Sequence, residues 1–318
     1  MNTHSDPAGT RCPDHREGGS IPGGGGAALV LSGPRPSALP VLIGVPHAGR
    51  SYPEELCETM RGGEGTRLRL EDRYADLLGQ EIARLTGAGI LMAQAPRAMI
   101  DLNRASDDID WSMVSGQQGR RAVPHSLANR RARSGLGLVP RRLPGLGEIW
   151  KHPIAADELE KRIAAIHRPY HQALGAELAH LRDRWGAALL LDFHSMPPLS
   201  PRYTGEEVAE IVIGDRFGLS CDPLLSAAAL TNLARGGRRV AHNRPYSGGY
   251  ILERHAAPAR NIHAIQIEVC RSLYLDARLD QPSARLPVLA RALGDMVMAL
   301  ARQILDLRHG DPFPVAAE

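Results

Sequence analysis

The stretch ALLLDFHSMPP, residues 188–198, runs four apolar residues into Asp192, Phe193, His194 and Ser195 and stops at two prolines. A short apolar run bounded by breakers reads as a buried strand of an α/β sheet. Pro197 has no N–H to give a ladder, so the strand has to end there. Strand side chains alternate between faces, so Asp192 and His194 share one face. Open α/β sheets bind ligands beyond the carboxyl ends of their strands. This pair is therefore expected at a functional rim.

Other runs read the same way. VLIGV (41–45), GILMAQA (89–95), VAEIVIGD (208–215) and IHAIQIEV (262–269) are expected as buried strands, and AALVLS (27–32) as an edge strand. Helical patterns lie between them. EDRYADLLGQEIARLTGAG (71–89) sets Tyr74, Leu77, Leu78, Ile82 and Leu85 on one stripe and ends at Gly87, a C′ glycine. Residues 157–186 form a helix that Pro169 should kink, and 284–308 form a C-terminal helix. Alternating strands and helices predict an α/β fold, a single-domain three-layer sandwich whose mixed, mostly parallel sheet has helices on both faces.

Residues 1–26, with the run GGSIPGGGG, are expected to be a disordered N-terminal tail, leaving 27–318 as one catalytic domain. Residues 105–150 are rich in Gly, Pro and Arg and read as a rim, a lid or a partly mobile loop. Within them RRARSGLGLVPRR (130–142) is expected to be a solvated loop rather than a phosphate patch.

The charge balance is nearly even, 38 Lys and Arg against 35 Asp and Glu, which argues against nucleic acid as a partner. No apolar run approaches the roughly 18 residues of a membrane span. The first residues lack the apolar core of a secretory signal. Cys12, Cys57, Cys221 and Cys270 are scattered, as expected of reduced thiols in a cytoplasm. Oligomeric state is left open.

Ionisable residues crowd the ends of the expected strands. His47 follows the first; Arg97, Asp101, Asn103 and Arg104 follow the second; Arg216 and Arg271 follow two others. Two histidines and a carboxylate are the ingredients of a catalytic zinc site with an open position. His47 and His194 are the candidate imidazoles. Asp72, Glu71 and Glu54 are candidate carboxylates, and spacing does not choose among them. Glu268 shares a strand face with Ala264 and Gln266. Buried and unpaired it would cost several kcal/mol, so it is expected to face a polar cavity as a general base, the alternative being an ion pair with Arg271 or Arg104. The loop HNRPYSGGYI (242–251) offers Tyr246 or Tyr250 to a substrate. His167 and His171, four apart on a helix without an HExxH pattern, are expected to be structural.

The stretches VPHAGRSYP (45–53), EDRYADLL (71–78), RAMIDLNR (97–104), SGLGLVPR (134–141), HRPYHQAL (167–174), LLLDFHSMP (189–197), VIGDRFG (212–218), PYSGGYI (245–251) and HAIQIEVCRSLYLD (263–276) occur in this order. Together they resemble the N-formylglutamate amidohydrolase family. That family is similar in turn to zinc carboxypeptidases and the aspartoacylase group. The resemblance implies a zinc-carboxypeptidase-like (phosphorylase/hydrolase-like) fold and one zinc ion. It also implies a chain order of His ligand, acidic ligand, Asn-Arg pair, second His ligand, loop tyrosine and catalytic glutamate. Here these fall on His47, Asp72, Asn103-Arg104, His194, Tyr246 or Tyr250, and Glu268. One departure is that carboxypeptidases carry HxxE where this chain reads HAGR, so the acidic ligand must come from elsewhere, and Asp72 is the choice.

The implied reaction is hydrolysis of N-formyl-L-glutamate to formate and L-glutamate, in a histidine-degradation context. The implied partner is a small dicarboxylate N-acyl amino acid held by Asn103, Arg104 and Tyr250, with Arg216 or Arg271 on its second carboxylate, joined by Arg97. The competing expectations are a zinc deacylase of another N-acyl amino acid and a metal-free binding protein of the same fold.

Overall fold

A computed structural model describes residues 14–116, 130–201, 203–205 and 207–309. Among these, eight strands form one sheet: β1 (Asp14–Gly18), β2 (Leu29–Gly33), β3 (Val41–Val45), β4 (Gly89–Ala93), β5 (Ala188–Met196), β6 (Ile211–Gly214), β7 (Val240–His242) and β8 (Ile262–Cys270). Their spatial order is β1-β2-β4-β3-β5-β8-β6-β7. The pairs β4–β3, β3–β5, β5–β8 and β6–β7 are parallel, and β1–β2, β2–β4 and β8–β6 antiparallel. The sheet is thus mixed and mostly parallel, as the run pattern predicts.

Helices cover both faces. On one, α1 (Ala75–Thr86), α3 (Pro223–Arg235) and α4 (Leu286–His309) bring Leu78, Ile82, Leu225 and Met296 onto Ile43, Leu191, Phe193 and Ile265. On the other, α2 (Arg168–Trp185) packs Tyr170, Leu174 and Leu178 toward Leu42, Leu190 and Ala264. All nine residues of β5 are buried, as a central parallel strand sandwiched between helices requires. Leu189, Leu191 and Phe193 enter one helical layer, while Leu190 faces the other. Asp192 and His194 follow Leu190 by period two.

The register then sets the chemistry. β8 runs parallel to β5 with Gln266 opposite Asp192 and Glu268 opposite His194. On the other side of β5, Gly44 of β3 stands opposite Asp192. Three adjacent parallel strands therefore end together beneath one rim.

Several local expectations are corrected. The tail expected through residue 26 contains β1, which pairs outside β2 and takes the edge position from it; residues 1–13 lie outside the described residues. DHREG carries no apolar alternation because an edge strand pairs through its backbone and here leaves its side chains largely exposed. In α1 the buried residues are Ala75, Leu78, Gly79 and Ile82, whereas Leu77 and Leu85 are exposed. The Pro169 kink takes the form of a π-helical stretch at Ile163–His167. Proline cannot donate to the carbonyl four residues back, and the Ala165 carbonyl accepts from the Ser20 N–H instead, at 3.0 Å. Arg16 and Arg35 both reach Glu177 of α2, fastening the same N-terminal segment. No helix among the described residues is long and apolar enough to cross a membrane.

Candidate active site

His47 lies two residues beyond β3, His194 on β5, and Asp72 three residues ahead of α1. The Asp72 N–H donates to the His47 carbonyl at 2.9 Å, so the backbone itself joins two of the three. Asp72 Oδ2 lies 3.0 Å from His194 Nδ1 and 3.6 Å from His47 Nδ1. The two rings have centroids 4.8 Å apart. All three side chains are buried, and their ligand atoms lie within 4.8 Å of one another. Among the described residues no other group of His, Cys, Asp and Glu has this arrangement. Of the carboxylates that spacing leaves open, Glu71 turns to Arg73 at 2.9 Å and Glu54 is exposed, whereas Asp72 stands beside both imidazoles.

Each ring is held from behind. His47 Nε2 donates to Asp101 Oδ1 at 2.7 Å, and His194 Nε2 donates to Asp192 Oδ2 at 3.0 Å. A carboxylate on one ring nitrogen sets the tautomer and aims the other nitrogen forward. Both Nδ1 atoms therefore face Asp72, and His47 Nδ1 is buried with no hydrogen-bond partner. An orphaned imidazole nitrogen beside a buried carboxylate, with a second imidazole opposite, fits the two-nitrogen, one-oxygen donor set of a divalent metal.

The electrostatics agree. Burial would raise the Asp72 carboxyl, but the hydrogen bond from His194 and the nearby His47 imidazole hold it well below the usual range. Burial would lower His194, yet Asp192, Asp72 and Glu268 outweigh it and hold the imidazole well above its ordinary value. Burial would likewise raise Asp101, which Arg97 and His47 keep ionised. So much buried negative charge favours a cation between the rings.

The site opens into a cavity of about 260 Å³. Glu268, in register with His194, forms part of its wall and accepts from Gln266 Nε2 at 3.0 Å. Burial pushes the Glu268 carboxyl up to about 7, against the charge of His194. A carboxylate poised there can both take and return a proton near neutrality.

Asn103 and Arg104 also line the cavity. Asn103 Oδ1 accepts from the Ile251 N–H at 2.9 Å, clamping the 245–251 loop. A Cβ at Gly249 would fall 2.5 Å from that oxygen, so only glycine lets the loop seat. Arg104 donates through Nε to the Leu136 carbonyl at 2.8 Å and through Nη1 to the Asn103 carbonyl at 2.7 Å. Arg271 donates to Ser195 Oγ at 3.0 Å and to the Leu68 carbonyl, and its Nη2 lies 3.6 Å from Asp72 Oδ1. In that position it braces Asp72.

Two expected site residues are not in the cavity wall. Arg216 sits at a positive-φ turn and pairs with Glu253 at 3.3 Å. Tyr250 opens a short helix, Tyr250–His255, and packs against His167 and His171, while its hydroxyl accepts from Arg254 at 2.6 Å. Tyr246, four residues earlier in the same loop, lines the cavity instead. A glycine pair turns the chain between the two tyrosines, so they face different neighbours.

Sequence reasoning named Asp101 and Asp192 without a role and overlooked Arg69 and Arg131, which also line the cavity. For Asp192 a signal exists, since a carboxylate two residues from a histidine on a buried strand must share its face. For Asp101, 54 residues from His47, no local signal exists.

Residues 39–275 match the family model described as N-formylglutamate amidohydrolase. The chain is 31% identical to the N-formylglutamate deformylase of Pseudomonas putida over 245 residues, covering 75% of this chain and 82% of the relative. It is 28% identical to that of Pseudomonas aeruginosa over 277 residues, covering 84% and 92%. The crystal structure of N-formylglutamate amidohydrolase from Ralstonia eutropha superposes with a TM-score of 0.74 at 30% identity, covering 89% of this chain and 99% of that one.

Proposed function

The chain belongs to the N-formylglutamate amidohydrolase family, and from that premise we propose that it hydrolyses N-formyl-L-glutamate to formate and L-glutamate. His47, Asp72 and His194 would hold one divalent ion, with zinc the best match to two imidazoles and a carboxylate. Such an ion supplies Lewis acidity toward the formyl oxygen and lowers the pKa of water.

The remaining work falls to the chain's own side chains. The Glu268 carboxylate takes a proton from the attacking water, whose oxygen adds to the formyl carbon. Glu268 then returns that proton to the amide nitrogen as the C–N bond breaks, leaving formate and the free amine. Arg104 presents a guanidinium to the substrate α-carboxylate, in a fork geometry that lysine lacks. Asn103 holds the 245–251 loop against the cavity and brings Tyr246 to its wall. Asp101 and Asp192 keep the two imidazoles aimed.

The observation carrying this reading is the register of two parallel strands. It sets a half-buried glutamate next to His194, beside a carboxylate that both imidazoles approach. A cavity of about 260 Å³ suits a small acyl amino acid.

The test is formate release from N-formyl-L-glutamate, with and without a chelator, alongside metal analysis of protein purified without one. Chelator-sensitive formate release and one bound divalent ion per chain are expected. Faster cleavage of N-acetyl-L-glutamate would replace deformylation with another deacylation. Absence of bound metal together with chelator-resistant behaviour would remove the metal reading.

A further inference from the structure

Five arginines line the cavity, Arg69, Arg97, Arg104, Arg131 and Arg271, against two carboxylates, Asp72 and Glu268. They are not equivalent. Arg97 is neutralised by Asp101 at 2.9 Å, and Arg271 lies beside Asp72 at 3.6 Å. Arg104 and Arg69 form no ion pair among the described residues and donate to backbone carbonyls, Arg69 to that of Pro144 at 2.8 Å; Asp101 and Asp108 act on Arg104 from beyond ion-pair distance. The Arg131 side chain makes neither an ion pair nor a hydrogen bond among the described residues, and it acts on Arg104 as a like charge. No aspartate or glutamate occurs between Asp110 and Glu148, so the segment around Arg131 supplies no counter-ion of its own.

The Arg131 side chain is exposed at the cavity rim, but the backbone that carries it is held in place. The Ala132 N–H donates to Asp108 Oδ1 at 3.1 Å, and the Leu138 N–H to the Asp108 carbonyl at 2.6 Å. A Cβ at Gly137 would meet that carbonyl at 2.5 Å, so the segment lies flush on the Asp108 turn. Arg104 grips the same segment through the Leu136 carbonyl. Two cations are thus fastened to one scaffold at the cavity wall, and neither has an ion-pair partner among the described residues. Like charges on one wall repel, and a ligand that supplies negative charge to both relieves that repulsion.

We propose that Arg131 is the specificity-determining residue for the second, side-chain carboxylate of the substrate, so that the site selects dicarboxylates over monocarboxylates through Arg131 rather than through Arg216 or Arg271. This rests on the proposed function for the identity of the substrate, but the selection is a property of the cavity and shows in binding alone. One dianion engages Arg104 with one end and Arg131 with the other, relieving their mutual repulsion.

The test is calorimetric binding of glutarate and of butyrate to the metal-loaded protein, which needs no turnover. Wild type is expected to bind glutarate at least about tenfold more tightly than butyrate, a factor within reach of one charge-assisted contact. Arg131→Gln is expected to erase that difference by weakening glutarate alone, and Arg131→Lys to restore part of it. Arg104→Gln is expected to weaken both ligands. Equal loss of glutarate and butyrate in Arg131→Gln, no loss at all, or loss of selectivity in Arg69→Gln instead, would overturn the assignment. So would a wild type that does not distinguish the two ligands. Circular dichroism of each variant separates misfolding from lost selectivity, and partial recovery in Arg131→Lys is a gain that misfolding cannot produce. A wild type that selects glutarate through Arg131 yet releases no formate from N-formyl-L-glutamate would end the proposed function and leave this inference standing.

Discussion

Asp192 Oδ2 lies 3.0 Å from the Nε2 of His194, its neighbour two residues on along the same face of β5. A buried carboxylate at the end of an apolar strand is costly in isolation. Here it acts through the imidazole, keeping the proton on Nε2 and turning Nδ1 toward Asp72. Asp101 does the same for His47 from a different loop.

If His47, Asp72 and His194 hold a divalent ion as proposed, replacing Asp192 by Asn should leave the three side chains in place and weaken their hold on it. Supporting carboxylates of this kind are worth about 10–100-fold in metal affinity. Competition against a chromogenic chelator reads the change directly. Affinity equal to wild type would mean that Asp192 serves the fold alone.

Glu268→Gln preserves the shape and the Gln266 contact in part, and removes the carboxylate proposed to move the proton. Metal content should be unchanged, with kcat lower by about 10²–10⁴-fold and KM little affected. Turnover within tenfold of wild type would take the base role away from Glu268.

The two loop tyrosines make opposite predictions. Tyr246 lines the cavity and Tyr250 faces a histidine cluster. Tyr246→Phe should lower kcat/KM by about tenfold, the worth of one hydrogen bond to a charged group. Tyr250→Phe loses only an acceptor for Arg254 and should stay within about twofold. The reverse pattern would put the hydroxyl of Tyr250 in the site.

Acid should destabilise the fold through a second histidine pair. His171 Nδ1 lies 2.9 Å from His255 Nε2, and burial pushes His171 down to about 2 and His255 to about 3. Both stay neutral in the folded chain, whereas the unfolded chain protonates them near 6.5. The stability they contribute is present above about pH 6.5 and is lost as pH falls toward the folded values. Between about pH 7.5 and about pH 5.5 each should remove about 1.4 kcal/mol. Urea unfolding at saturating metal reads this, and His171→Gln should shrink the difference by one such share. An undiminished difference in the variant would assign the acid sensitivity to other groups.

Much of this molecule was legible in its chain. Apolar runs cut off by Pro, Gly and polar residues marked the inner strands, because burial on both faces of a parallel sheet demands unbroken apolar character. Period two alone put Asp192 beside His194 and Gln266 beside Glu268. The edge strand Asp14–Gly18 escaped notice because backbone pairing leaves no pattern in exposed side chains. Tyr246 and Tyr250 could not be separated, since which way a loop residue turns depends on what packs against it.

What the sequence determined by itself was the set of inner strands, the face each residue occupies along them, and the kind of chemistry gathered at their ends, all of which follow from local periodicity. What only the tertiary structure decided was partnership. It placed Asp72, rather than Glu71 or Glu54, beside both imidazoles, set Asp101 behind His47, and brought Arg131 to the same wall as Arg104. Those choices depend on register across the sheet and on contacts between segments far apart in the chain, and no local pattern of side chains encodes them.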